Sequence, residues 1–271
     1  MTSLRARGLR ALGCALLAAL QLSCAATGAL QRFDKPIVLL GETHDNARHH
    51  ELQRQALQAI LDSGARPALL MEQFDRERQS DIDRALAAGN VDVATLIAAG
   101  TERDVTRWQW PFYEPLIALA LRYRLPIVAA NVSRADTRRI VADGLAAQGF
   151  DAQVPGDIES AQARQIERSH CGLVDAAMAR RMAAAQIARD QFMARLVQKH
   201  AARGVVLIAG HGHVRRDVGV PRWLGATERE RTESVGLLEQ GSESDSGEFD
   251  RVVVTPPQLR ADPCAGMRRS G

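Results

Sequence analysis

Aromatic side chains are scarce in this chain, at 4% of 271 residues, so its core must be built from aliphatic residues and alanine. With only two tyrosines and three tryptophans, each one carries weight as a candidate site residue. No apolar run is long enough to span a bilayer comfortably as a helix. No internal repeat, long charge block or mid-chain linker interrupts the sequence, and the length suits one large α/β domain or two small ones. Hydrophobic residues make up 46% and charged residues 25%, the balance of a soluble globular chain with ample core material.

The charge surplus is confined to the first residues. Arg5, Arg7 and Arg10 precede the uncharged run Ala11 to Leu20, and small residues follow at Ser23, Cys24, Ala25 and Ala26. A basic start, a short apolar stretch and a small-residue exit predict a secretory signal peptide over residues 1–23. Leu22-Ser23-Cys24 also resembles a lipoprotein signal, although Gln21 stands where such signals usually carry Leu. Acylation of Cys24, tethering the chain to a membrane surface, and simple secretion both stay open. Cleavage there would remove three arginines and no acids, so the formal charge of +3 would fall to zero. That leaves no basic surplus to recommend nucleic acid as a partner. The expected organisation is a tether over 24–35, one domain over 36–264 and a tail over 265–271.

Cysteine usage fits export. Of four cysteines, Cys14 and Cys24 fall in the leader and at its exit, leaving Cys171 and Cys264 in the body. Two thiols in an oxidising compartment favour one disulfide, which would staple the C-terminal tail to the middle of the chain. Two separate buried thiols are the alternative.

Short apolar runs read as strands at 36–40, 68–71, 126–130 and 204–209, with weaker candidates at 234–239 and 251–255. The first four are continuous rather than alternating, so both of their faces should be covered. Helical segments separate them: 46–61, 81–88, 113–124, 133–147, and a nearly unbroken stretch over 157–202 that is expected to divide around Cys171-Gly172. This is the pattern of an α/β fold with a mostly parallel central sheet flanked by helices.

Parallel sheets bind ligands beyond the carboxyl ends of their strands. Those ends deliver Gly41-Glu42-Thr43-His44-Asp45, Glu72-Gln73-Phe74-Asp75, Asn131 and Gly210-His211-Gly212-His213. If the chain stays extended, Glu42 and His44 point the same way, as do His211 and His213. Glu42, His44, Glu72 and His213 are therefore a candidate ligand set for a divalent metal. They are equally a metal-free acid/base set, or a buried network that merely fixes loops. On the long helix, Met182, Gln186, Arg189, Asp190 and Met193 share one face. Gln186 and Arg189 there suit a cofactor, Arg189 offering its guanidinium to a substrate carboxylate or a haem propionate. An internal Arg189–Asp190 pair is the structural alternative. Tyr113, in the cluster Trp108-Gln109-Trp110-Pro111-Phe112-Tyr113, can ligate haem iron as a phenolate or simply pack its helix onto the sheet. His49-His50 reads as a solvated pair.

These segments together resemble the ChaN-like haem-binding lipoproteins, relatives of the Tiki proteases and erythromycin esterases. The resemblance is carried by residues 39–45 (LLGETHD), 69–74 (LLMEQF), 108–116 (WQWPFYEPL), 126–131 (PIVAAN), 169–172 (SHCG), 185–194 (AQIARDQFMA) and 207–221 (LIAGHGHVRRDVGVP). The tail, VVVTPP and then Asp262-Pro263-Cys264, matches as well. The resemblance implies an α/β fold, haem as cofactor and a role in haem or iron handling at the cell envelope. In the wider superfamily the positions matching Glu42, His44, Glu72 and His213 form the active or metal site. The chain departs at His211, where the family usually has Asn, so an extra imidazole is available there, either to add a ligand for the cofactor or to alter the basicity of the site. Some members bind haem through Tyr. A metal-dependent esterase or peptidase, with Glu42, His44, Glu72, Arg189 and His213 as its machinery, is the competing reading, and a non-catalytic envelope binding domain the blander one. A homodimer is compatible with each.

Overall fold

The computed structural model describes residues 30–101, 108–242, 244, 246–262 and 264–265. The expected signal peptide and Cys24 lie outside them. Six strands form one sheet: β1 (Ile37–Glu42), β2 (Ala68–Asp75), β3 (Ile127–Asn131), β4 (Val205–Gly210), β5 (Thr232–Glu239) and β6 (Arg251–Thr255). Their order is β3-β2-β4-β1-β5-β6 and every pairing is parallel. The two weaker strand candidates are both real, and the sheet is parallel throughout.

Among the described residues the α-helices are α1 (Ala47–Asp62), α2 (Gln79–Ala87), α3 (Val93–Gly100), α4 (Trp110–Arg122), α5 (Arg134–Asp143), α6 (Gly156–Ser169), α7 (Ala176–His200) and two short ones, α8 (His211–Val214) and α9 (Ala226–Glu230). The sequence did not suggest α3, α8 or α9. As expected, 157–202 divides at Cys171-Gly172, where both residues take positive φ (59° and 69°). That left-handed pair, cheap for Gly172 and not for Cys171, turns the chain from α6 into α7.

Alternate strand residues feed opposite layers. Val38, Leu40, Leu69, Met71, Val206 and Ile208 pack with α1 to α4. Ile37, Leu39, Leu70, Val205 and Leu207 pack with Met193, Ala194 and Val197 of α7. Coverage on both sides explains why these strands are continuously apolar. A further cluster, including Ile140, Ile158 and Ala188, joins α5, α6 and α7 beyond the sheet. No helix among the described residues is long and apolar enough to cross a membrane.

The expected staple is present. Cys171 and Cys264 form a disulfide with Cα atoms 5.8 Å apart. Between β6 and that bond the tail is also held by Arg260, whose guanidinium contacts Asp45 at 2.6 Å and Glu239 at 2.7 Å.

Candidate functional site

All four core strands deliver polar groups to the same edge, as the sequence suggested, and the structure joins them into one chain of contacts. Glu42 ends β1 with its side chain buried. One oxygen, Oε1, receives the Tyr113 hydroxyl at 2.5 Å and lies 2.9 Å from His44 Nδ1. The other, Oε2, faces His50 Nδ1 at 3.4 Å. His44 Nε2 lies 4.0 Å from Glu72. Glu72 accepts the Gly210 N–H at 2.8 Å and faces His213 Nε2 at 3.6 Å. His213 Nδ1 sits 2.6 Å from Asp190, which also accepts from Gln162. The sequence Asp190–His213–Glu72–His44–Glu42–Tyr113 therefore runs unbroken across the edge.

Glu72 comes into line through an irregularity of its strand. The register of β2 against β3 slips between Met71 and Asp75, so the chain re-aims there while β2 continues to Asp75.

The protonation pattern follows from these neighbours. Burial alone would raise Glu72, yet the charges of His213 and His44, the Gly210 N–H and Arg189 hold it down to about 2. Burial would lower His44, but its Glu42 hydrogen bond and the charges of Glu72, Glu42 and Asp45 push it up to about 9. Solvent at its 44% exposed side chain screens part of that attraction. Burial also works against the charge on His213, and Asp190 and Glu72 overcome it, raising its pKa. Asp190 is pushed up to about 6, chiefly by burial, and so remains a carboxylate beside His213 at neutral pH.

Several expectations change here. Glu42 and His44 do meet, although β1 stops at Glu42. His211 and His213 do not share an extended segment; both lie on the helical turn α8 and aim differently. Glu42, His44, Glu72 and His213 come together, but as carboxylate–imidazole pairs. No group of three or more His, Cys, Asp or Glu converges on a cation position among the described residues. The expected metal set is thus an ion-paired relay, because each potential ligand atom is turned toward its neighbour. Asp190 is hydrogen-bonded to His213, and the charge of Arg189, its alternative partner by sequence, acts on it as well. Arg189 itself reaches Asn131, Gln186 and Thr137 at 3.1–3.2 Å. Tyr113 is fully buried behind Glu42, and burial together with that carboxylate raises its pKa. This is the placement of a hydrogen-bonding and packing residue rather than of a phenolate open to iron.

His49 and His50 are buried, not solvated. Asn46 caps α1 by accepting from the Arg48 and His49 N–H groups, which turns both rings inward. His50 packs on Phe112 and Tyr113 and approaches the His44 carbonyl at 2.9 Å. His49 Nδ1 accepts the Thr43 N–H at 2.9 Å, so Nε2 carries the proton and donates to Thr255 Oγ1 at 2.8 Å. A second proton would set an N–H against an N–H. Burial accordingly lowers its pKa to about 4. The unfolded chain then binds the extra proton across pH 6.5 to 4, so stability falls as pH drops through that window. Going from pH 7 to 5 should cost about 2 kcal/mol at this residue. Urea denaturation at both pH values, in wild type and His49→Gln, checks it; an unchanged pH dependence in the variant removes His49 as the cause. The spacing His49, Leu52, Gln53, Ala56 was the available sign that His49 shares the buried stripe of α1.

The turn α8 rests directly on β1. A Cβ on Gly41 would meet the Val214 side chain and stand 2.7 Å from His211 Cα, so only glycine lets the turn dock there. His211 Nδ1 lies 3.2 Å from the Glu42 carbonyl oxygen, and burial lowers its pKa.

Two grooves open above this edge. One, of about 270 Å³, is lined by Glu42, His44, Gln186, His211, His213 and Val218 among others. The second, of about 590 Å³, carries Arg164, Arg168, Arg215 and His211. They share Gln165, Ser169, His211 and Arg215 and so form one cleft beneath α6. A third hollow, of about 340 Å³, continues past Gln186 and Ile166 to Arg189 and His170. Trp108 stands edge-on to His44 with ring centres 4.9 Å apart, closing one flank.

Comparison with known proteins adds the following. The family model described as haem-binding uptake, Tiki superfamily, ChaN matches residues 31–224. No curated protein matches. Among solved structures, one described as cofacial haem binding to ChaN of Campylobacter jejuni is similar at a TM-score of 0.68 and 21% identity, covering 85% of this chain and 90% of that one. An erythromycin esterase mutant in its open conformation gives a TM-score of 0.46 at 13% identity, over 79% of this chain and 72% of that one.

Proposed function

The chain belongs to the family described as haem-binding uptake, Tiki superfamily, ChaN, and from that premise we propose that its carboxyl-edge cleft binds haem for uptake or handling of haem iron. The observation that carries the reading is the cleft itself. Arg164 and Arg168 stand along one part of it, beside Arg215 in its pairs with Asp217 and Glu248, and the polar network forms its floor. The chemistry fits a flat dicarboxylate. Guanidinium groups suit its propionates, Ile166 and Val218 offer an apolar strip to the ring, and imidazole is a usual donor to its iron. Bound haem would supply a redox-active iron centre. The chain's own residues would hold its carboxylates and line its ring.

The cleft is open on its other side. The Campylobacter jejuni relative is described as binding haem cofacially. A second haem stacked on the first, brought by a second copy of this chain, would cover the exposed face here, which supports a homodimer. The basic and apolar N-terminal sequence supports export to the cell envelope, and Cys24 supports a lipid anchor there. Family membership favours haem over ester or amide hydrolysis at the same imidazoles and carboxylates.

Titrating ferric haemin into the purified chain should give a saturable Soret shift. Mass measurement under native conditions should show a dimer carrying two haems. Featureless, non-saturating uptake would sink the reading.

A further inference from the structure

We propose that His211, through Nε2, is the iron ligand of the bound haem. This rests on the haem-binding reading and names the side chain which that reading leaves open.

Five imidazoles gather at the carboxyl edge, and four are engaged. His44 turns one nitrogen to Glu42 at 2.9 Å and the other toward Glu72 at 4.0 Å. His213 is held likewise between Asp190 at 2.6 Å and Glu72 at 3.6 Å. His49 uses both nitrogens, on the Thr43 N–H and the Thr255 hydroxyl. His50 is buried against Phe112 and Tyr113, its nitrogens directed at the His44 carbonyl and Glu42. His49 and His50 are buried, while His44 and His213 each lie between two carboxylates, which favour the charged ring with both nitrogens protonated over one offering a lone pair.

His211 differs. Its Nδ1 lies 3.2 Å from a carbonyl oxygen, that of Glu42. A carbonyl only accepts, so Nδ1 carries the proton and Nε2 carries the lone pair. A backbone carbonyl on the far nitrogen is the usual support behind a metal-bound histidine, because it fixes tautomer and ring orientation and raises ligand basicity. Among the described residues Nε2 has no hydrogen-bond partner, and the ring lines both halves of the cleft. The ring is also delivered by rigid backbone, since α8 is seated on Gly41 with no room for a side chain between them.

The tyrosines do not compete. Tyr113 is buried with its hydroxyl on Glu42. Tyr123, the C-cap of α4, lies in the segment entering β3 at the opposite edge, with Arg66 over its ring. Arg164 and Arg168 line the same groove as His211, beside Arg215, which is paired with Asp217 and Glu248, so groups that would hold the propionates and the imidazole that would hold the iron share one cleft.

The test titrates ferric haemin into wild type, His211→Ala and His170→Ala, with resonance Raman and electron paramagnetic resonance reading the iron ligand. Wild type should show a histidine nitrogen on iron. His211→Ala should lose that signature and bind haemin roughly 10–100-fold more weakly, and added imidazole should restore the signature. His170→Ala should leave it unchanged. If wild type binds saturably and His211→Ala keeps the same signature, or if His170→Ala alone loses it, the assignment is overturned while haem binding stands. If wild type shows no saturable binding, the haem-binding reading fails first. Circular dichroism of each variant separates ligand loss from misfolding.

Discussion

Glu42→Ala should be the most destabilising single substitution at the site, costing roughly 3–5 kcal/mol. The carboxylate is buried, is hydrogen-bonded to the Tyr113 hydroxyl and His44, and faces His50 at 3.4 Å. Truncation strands the first two together and opens a cavity beside all three. A buried donor left without its acceptor costs the full desolvation of that group. For a domain of this size the midpoint of thermal unfolding should fall by on the order of 10 °C. Glu42→Gln keeps the shape and an oxygen for Tyr113, so it should lose about half as much. Parallel thermal and urea melts of the two variants check the ordering. Equal losses would mean that the carboxylate's charge and second acceptor oxygen matter and the shape does not; a Glu42→Ala melt within 1 kcal/mol of wild type would show that the network contributes nothing to stability.

Reducing the Cys171–Cys264 bond should have the next largest effect, lowering stability by roughly 2–5 kcal/mol. The bond closes a loop of 93 residues, so most of its contribution comes from restricting the unfolded chain. What remains after reduction is weaker. Arg260 still bridges Asp45 and Glu239, where it holds both carboxyls below their ordinary range and Glu239 down to about 2. Those contacts are one-third exposed on the arginine and are worth about 1 kcal/mol or less each. The expected result is a reductant-sensitive melting curve in wild type and a reductant-insensitive one, at the lower midpoint, in the Cys171→Ser, Cys264→Ser double variant. Coincident curves for oxidised and reduced wild type would refute the estimate.

Much of this fold is legible because its strands are doubly covered. An uninterrupted run such as 204–209 is what burial on two faces requires, and the polar residues that stop each run mark the carboxyl edge. The disulfide was legible from compartment and number alone. The losses have a common cause. His49 reads as solvated because its partner Thr255 lies at the far end of the chain, and no local spacing announces it. His211 and His213 look extended because two residues apart suits a strand; only the close docking of α8 on Gly41 shows a turn instead. Asp190 looks like Arg189's partner in sequence and becomes His213's in space. Tyr113 carries weight as a rare aromatic, yet its hydroxyl is spent on a buried hydrogen bond to Glu42. Spacing identifies which residues reach the edge, while contacts between distant segments decide which atoms are spent and which remain available.

The position of β1 in the sheet bears on how the chain assembles. It precedes the other five strands in the chain, yet it lies between β4 and β5, pairing Ile37 with Val205 on one side and Thr232 on the other. Until those later segments arrive, β1 has two unsatisfied edges and an apolar run from Ile37 to Leu40. Such long-range parallel pairing makes for slow folding and an aggregation-exposed intermediate. Glu42 and Gly41 therefore wait on segments that follow them by more than 160 residues: the floor of the cleft closes only when β4 and α8 slide in beside them.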